Sequence, residues 1–309
     1  MKGILTLLCI AAMVSSARAG SLAEYTNYVQ YSISQTSEAS GITYNWDTGT
    51  LFAVGDEGQS VDQYTLTGQY INSMILEYSV SPRELRAVDD AEGITYMGNG
   101  QFMIADERDQ MGRMTTYQAG ATRTLSDLAP TSYSFNPNGY PDQNFGIEGV
   151  AYDPIDGSIW AVKERDPLSI YKMAGPGGAV TEPISIRNIS RIGFENFSDI
   201  YVMANSRAFD LDDPRRLNLL ILSRDNNEIA EITREGVVVD RLDLSFLEGV
   251  SGTEGVTMDD LGNIYLASEV GGLHMLSASP VPEPSTYALL ALGLLGVWAF
   301  FRRRKNRTA

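Results

Sequence analysis

The sequence predicts an all-β protein, a five-bladed β-propeller whose fifth blade is closed by an N-terminal strand. Three observations carry this prediction. A short motif, a small or acidic residue followed by Gly and an apolar alternation, starts at positions 40, 92, 148, 198 and 254, spaced by 52, 56, 50 and 56 residues. A tight-turn signal follows each clear copy at the same place. Five repeats of about 53 residues need about 267, and the segment 20–284 supplies 265. Several short strands per unit at a period near 50 is the pattern of propeller blades. A β-sandwich has no reason to repeat at this interval, and β-helix repeats are shorter.

The clear copies are Ser40-Gly41-Ile42-Thr43-Tyr44, Glu92-Gly93-Ile94-Thr95-Tyr96, Glu148-Gly149-Val150-Ala151-Tyr152 and Glu254-Gly255-Val256-Thr257-Met258. Each reads as a first, inner strand. The turns Asp47-Thr48-Gly49, Gly98-Asn99-Gly100, Asp156-Gly157 and Asp260-Leu261-Gly262 then favour hairpins. Second strands follow at Leu51 to Gly55, Gln101 to Ala105, Ser158 to Val162 and Asn263 to Ala267, and more polar third strands at Val61 to Leu66, Arg113 to Gln118 and Leu168 to Met173. The fourth copy, Ser198-Asp199-Ile200-Tyr201-Val202, is degenerate and carries a long insert, Ala208 to Arg216. The last repeat runs out soon after Leu273 to Leu276, while Tyr28 to Ser34 forms an extra alternating strand before the first. Pairing the two completes the fifth blade and removes its free edge.

The two ends lie outside this scheme. Lys2, the apolar stretch Ile4 to Val14 and Ala17-Arg18-Ala19 follow the order of a secretory signal peptide, 1–19. Cys9 would leave with it, so no disulfide could brace the propeller, 20–280. The remainder, 281–309, contains Pro282-Glu283-Pro284, an uncharged apolar stretch 287–301, and the basic end Arg302-Arg303-Arg304-Lys305-Asn306-Arg307. Fifteen apolar residues are fewer than the roughly 20 of a comfortable membrane span, which favours a segment that is recognised and processed over a permanent anchor. The tail resembles the PEP-CTERM sorting signal. That likeness implies an exosortase-type sorting protease as a partner, contact with the membrane only through the tail, and export to the cell envelope, the surface or exopolysaccharide.

Charge bounds the function. The chain has 23 Lys plus Arg, 39 Asp plus Glu, and a net charge of −16. Removing Lys2, Arg18 and the five basic residues of 285–309 leaves 16 basic against 39 acidic, a net of −23. This argues against nucleic acid as a partner and for divalent cations. A single histidine, His274, excludes a two-His metal site, and its short apolar strand favours a structural role; no Gly-x-Ser-x-Gly elbow occurs. Gly175-Pro176-Gly177-Gly178 reads as a turn, and Tyr44, Tyr96 and Tyr152 as inner-strand packing.

Carboxylates recur with the repeat. Glu92 opens a first strand and Glu107 ends the second, so the hairpin returns them to one end. The same holds for Glu148 with Glu164, Glu254 with Glu269, and Ser40 with Asp56 and Glu57. Acids crowded around one channel mouth need a compensating cation. Six to eight oxygen ligands in a flexible ring favour calcium over magnesium. Glu92, Glu148 and Glu254 are the first candidates for metal, with Glu107, Glu164 and Glu269 behind them; Asp210, Asp212 and Asp213 form a weaker candidate in the insert. Arg108, Arg165 and Arg224 also recur, each before an Asp. Arg108 and Arg165 are candidates for anion binding beside the metal, although pairing with nearby acids accounts for them as well.

The runs SGITYNWDTGTLFAVGDEG, AEGITYMGNGQFMIADERD, IEGVAYDPIDGSIWAVKERDP and TEGVTMDDLGNIYLASE resemble the SdiA-regulated domain family. That resemblance implies a five-bladed propeller, distantly similar to NHL-repeat propellers, with bound calcium. Two functions follow as expectations. The first is a non-enzymatic, calcium-binding surface protein that engages exopolysaccharide or a surface protein. The alternative is a calcium-dependent hydrolase of phosphate esters or lactones, with a glutamate as base at the channel mouth.

Overall fold

The computed structural model describes residues 21–278 apart from 57–58, 79, 83–84, 140–144 and 248–251. The expected signal and sorting tail, and Glu57, lie outside the described residues. Among those described, no helix is long and apolar enough to cross a membrane.

The chain opens with β1 (Asn27–Ser32), then lays down blade 1 as β2 (Ala39–Asn45), β3 (Thr50–Gly55), β4 (Ser60–Tyr64) and β5 (Tyr70–Leu76). Blade 2 holds β6 (Ala91–Gly98), β7 (Gln101–Asp106) and β8 (Met111–Thr116). The short β9 (Thr122–Arg123) crosses back to pair in parallel with β5, and β10 (Ser132–Ser134) then completes blade 2. Blade 3 is β11 (Ile147–Tyr152), β12 (Ile159–Lys163), β13 (Ser169–Met173) and β14 (Val180–Thr181). Blade 4 is β15 (Asp199–Val202), β16 (Leu219–Ser223), β17 (Glu228–Ile232) and β18 (Val238–Asp243). Blade 5 is β19 (Thr253–Met258), β20 (Ile264–Ser268) and β21 (Gly272–Ser277), with β1 as its outer strand. The expected closure is therefore present: β1 pairs antiparallel with β21 from Asn27 opposite Ser277 to Ser32 opposite Gly272.

The inner, second and third strands of the clear repeats read from their alternation and turn residues, but the outer strands and two short helices in blade connections do not. The helix α1 (Leu125–Leu128) is set by a capping box between Thr124 and Asp127. The helix α2 (Ile186–Ile192) begins at the Ser185 cap, ends at left-handed Gly193, and buries Ile189 and Ile192 between blades 3 and 4. Both are too short to show a period of 3.6.

Burial concentrates at the five junctions between blades, one apolar cluster at each. Phe52 of blade 1 meets Phe102 of blade 2 with ring centroids 4.6 Å apart, and Trp160 fills the junction of blades 3 and 4. A blade thus has two apolar faces, and neither is covered until its neighbours fold.

At the axis the inner strands come too close for a side chain. A Cβ on Gly93 would stand 2.6 Å from the Glu148 carbonyl oxygen, and one on Gly41 would stand 2.8 Å from Gly93 Cα. The repeated Thr and Tyr then link the blades. Thr43 Oγ1 accepts the Tyr96 N–H at 3.1 Å, Thr95 the Tyr152 N–H at 3.0 Å, and Thr257 the Tyr44 N–H at 3.0 Å. Between blades 4 and 5, Asp199 Oδ2 takes this role toward the Val256 N–H at 2.7 Å.

The substitution Gly93→Ala pushes the blade 2 strand against blade 3 backbone, which has no flexible end to yield. Overpacking of this kind costs about 1–3 kcal/mol. The expected result is a lower midpoint in chemical denaturation; an unchanged midpoint would refute the tight approach.

Candidate metal centre

The acidic positions of the motif are bulged residues. In blades 1, 2, 3 and 5 the inner hairpin shifts register between Ala39 and Gly41, Ala91 and Gly93, Ile147 and Gly149, and Thr253 and Gly255. The residue passed over is Ser40, Glu92, Glu148 or Glu254. A bulge leaves its extra residue outside the ladder and re-aims the side chain. Here the change of direction falls where glycine allows the strands to touch. Three glutamates are thereby turned into one mouth of the channel.

The partner positions sit one step beyond the end of the second strand. Their backbone N–H groups bond back across the hairpin: Asp56 to the Glu38 carbonyl at 3.1 Å, Glu107 to Asp90 at 2.9 Å, Glu164 to Gly146 at 3.1 Å and Glu269 to Gly252 at 3.1 Å. The expected pairs Glu92 with Glu107, Glu148 with Glu164, and Glu254 with Glu269 thus lie at the same end, around a cavity of about 260 Å³. Blade 1 adds Glu38, Ser40 and Asp56; blade 2 adds Asp90 and Arg108; blade 4 contributes Arg224.

Two groups of carboxylates are close enough to share an ion. One oxygen from each of Asp56, Asp90 and Glu92 lies within 4.8 Å of the others, and the same is true of Glu107, Glu148 and Glu164. The remaining pair, Glu254 and Glu269, is spanned by Arg224, whose Nη1 bonds Glu254 and lies 3.0 Å from Glu269 Oε1. Glu269 is the most open of the candidates, with 48% of its side chain exposed.

Loss of water dominates the electrostatics. Burial pushes the Glu148 carboxyl well above the usual range, and its neighbours Glu92, Glu107, Glu164 and Glu254 push it further. Glu92 is raised for the same reason, then by Asp56, Glu107 and Glu254. Burial carries Asp90 up to about 10, with Asp56 and Glu92 adding to the shift and Arg108 opposing it. Glu254 is pushed up by burial to about 8 against the pull of Arg224. Burial also raises Glu107, although Gly146 N–H donates to its Oε1 at 3.1 Å. Asp90 Oδ2 pairs with Arg108 at 2.7 Å, while its buried Oδ1 receives no hydrogen bond from a donor among the described residues and its carboxyl lies against those of Asp56 and Glu107.

The sequence-predicted arginines are held by acids. Arg108 clamps Asp90, while Arg165 bonds Glu164, reaches Asp225 at 3.2 Å, and lies with its guanidinium 5.5 Å from the Phe145 ring centroid. Arg108 and Arg224 line the cavity. In the insert, Asp213 caps a short 3-10 turn and pairs with Arg215 at 2.9 Å. His274 is buried in β21, and burial lowers its pKa. Gly178 N–H closes the expected turn on Gly175 O. Tyr44 and Tyr96 pack inside and also use their hydroxyls, on Asp260 at 3.4 Å and on Asp47 at 2.5 Å, at the opposite channel end.

The motif by itself does not expose Asp90. It stands two residues before Glu92, where the other blades have Glu38, Gly146 and Gly252, all sharing its backbone role. Reading each repeat two residues further upstream is the signal that finds it. Arg224 was legible as a third recurrence of arginine, but its place in the wall follows from the degenerate fourth blade.

The profile of the SdiA-regulated family matches residues 18–273, and the chain belongs to that family. The PEP-CTERM protein-sorting motif matches residues 280–305, which marks the chain for export and exosortase-mediated sorting at the membrane. Among solved structures, the glutaminyl cyclase of Myxococcus xanthus is 14% identical over 80% of this chain and 93% of that one, with a TM-score of 0.53. Virginiamycin B lyase from Staphylococcus aureus is 14% identical over 84% of this chain and 75% of that one, with a TM-score of 0.42. At such identities the first likeness speaks to fold alone.

In chelator, the raised carboxyls fix the sign of the pH response. Unfolded acids ionise near pH 4. The folded mouth keeps its protons until pH passes about 8 for Glu254 and about 10 for Asp90. Between these limits the folded state binds more protons, so stability falls as pH rises. Melting in chelator should drop steadily from about pH 5 to about pH 9. A melting temperature that rises across this window would contradict the crowded mouth.

Proposed function

We propose that this exported member of the SdiA-regulated family is a calcium-binding propeller whose loaded mouth engages a polymer or protein partner at the cell surface. The observation that carries the reading is the convergence of carboxylates from four blades on one 260 Å³ cavity that also holds Asp90, whose buried Oδ1 has no donor to it among the described residues. A buried carboxylate oxygen with no donor costs desolvation energy that a hard cation would offset. Asp56, Asp90 and Glu92, and equally Glu107, Glu148 and Glu164, supply the oxygen ligands calcium takes. Protons and calcium would compete for the same oxygens. The cation would take over the neutralisation that raised pKa values otherwise provide.

Binding is favoured over turnover by the cavity wall. Apart from Ser40, every described residue lining it is an acid or an arginine. Ligand pockets for organic molecules are mostly apolar with a few polar groups, so this wall suits an ion and the anionic groups it could bridge. Exopolysaccharide carboxylates or a surface protein's acidic side chains are partners of that chemistry.

The strand directions support a display role. Asn27 and Ser277 lie together at the end of blade 5 away from Thr253 and Ser268, and therefore away from the mouth. The last described residues, Ser277 and Ala278, are at that end. A propeller held through its sorting tail would turn its acidic mouth away from the membrane.

Residues 20–280 should melt higher in millimolar calcium and return to the lower temperature with chelator. At a calcium concentration of about 100 Kd the gain is about 2.7 kcal/mol, or about 5 °C for a domain of this size. Glu148→Gln should lose a large part of that shift. No shift, together with no calcium by elemental analysis, would remove the metal reading.

A further inference from the structure

The mouth has five sectors, and its charges are not distributed evenly among them. One acidic group lies between blades 1 and 2, formed by Asp56, Asp90 and Glu92; a second lies between blades 2 and 3, formed by Glu107, Glu148 and Glu164. These are separate sets, with no shared residue. The acids of blade 5 face blade 4, which lacks both the bulged glutamate and the register shift that would aim it: Asp199 pairs directly with Leu222, and its side chain turns to the Val256 N–H instead. In place of a carboxylate, blade 4 sends Arg224 into the wall.

Arg224 occupies the position of a bridging ion. Its Nη1 contacts Glu254 and Glu269 of blade 5, its Nη2 stands 4.0 Å from Glu164 of blade 3, and its Nε lies 3.6 Å from Asp225. A guanidinium is always charged and offers donors in a planar fork, so it can neutralise two carboxylates without giving up its place to a metal. The sector between blades 1 and 2 has no equivalent. There Arg108 reaches only one Asp90 oxygen, and the other is buried with no donor to it among the described residues. Between blades 2 and 3, Arg165 bonds Glu164 alone of that group's acids, and the four charged groups with the largest effect on Glu148 are all carboxylates.

Resting on the calcium reading above, we infer that the mouth holds two divalent cations side by side, one in each acidic group, and that Arg224 is a built-in third cation that closes the sector between blades 4 and 5 to metal. Arg224 is then a positioning and selectivity residue. It fixes the number of ions and keeps Glu254 and Glu269 out of the ligand set.

The experiment is calcium stoichiometry on residues 20–280, which close on themselves through β1 and β21. Chelator-stripped protein is titrated by calorimetry and assayed by elemental analysis after gel filtration. Two calcium ions per chain are expected for the unaltered protein. Glu92→Gln and Glu148→Gln should each leave one, and the double variant none. Arg224→Met should take up a third calcium at millimolar concentration, whereas Arg224→Lys should stay at two. If Arg224→Met does not fold, the two glutamine variants and calcium density in crystals still count the ions. One ion per chain, or an Arg224→Met protein that folds and still binds two, would overturn the inference and leave calcium binding intact. No calcium at all would overturn both.

Discussion

The structure depends on how closely five inner strands approach one another around the axis. Gly41, Gly93, Gly149 and Gly255 each face backbone or a neighbouring carboxylate at less than the distance a Cβ needs. Because the strands touch there, each clear hairpin shifts register at that point, and the residue before the glycine leaves the ladder. One steric constraint thus produces both the narrow ring and the direction of Glu92, Glu148 and Glu254. Glutamate and glycine recur as a pair because the site and the packing are made by the same step of backbone.

That coupling has an electrostatic consequence. Burial at the axis raises Glu92 and Glu148 well above ordinary carboxylates, and the acids around them raise them further. Surface ion pairs would be worth little here, but these groups have lost most of their water. The fold manages the excess unevenly. Arg108, Arg165 and Arg224 stand at equivalent places after the second strands, yet only Arg224 crosses into an adjacent blade's pair of acids. Degeneration of the fourth repeat is therefore not a simple loss. It exchanges one carboxylate-bearing sector for an internal counter-charge, while Asp199 preserves the interblade link that Thr makes elsewhere.

The ring also has two dissimilar ends. At the far end from the acids, Tyr44 and Tyr96 tie the inner strands of blades 1 and 2 to the Asp of a neighbouring turn, through Asp260 and Asp47. Both termini of the folded region are at that end, since β1 and β21 run antiparallel with Asn27 beside Ser277. Closure of the last blade and the placing of Asn27 and Ser277 at the end away from the acids are consequences of one strand pairing.

Much of this was legible in the residues. The spacing of the Gly motif set the blade count, alternation and Asp-Gly or Asn-Gly turns placed the hairpins, and hairpin geometry put Glu92 with Glu107 and Glu148 with Glu164, because these are local properties of period two and turn chemistry. Other features required contacts between blades, which no local pattern encodes. Asp90 joins the site through its position two residues upstream of the motif, β9 returns to blade 1 from blade 2, and α2 is stabilised by the junction it fills. The division of the acids into two ion-sized groups and an arginine-bridged pair also belongs to tertiary structure alone. It is set by where the side chains of neighbouring blades meet at the axis, and the sequence holds only the charges, not the distances between them.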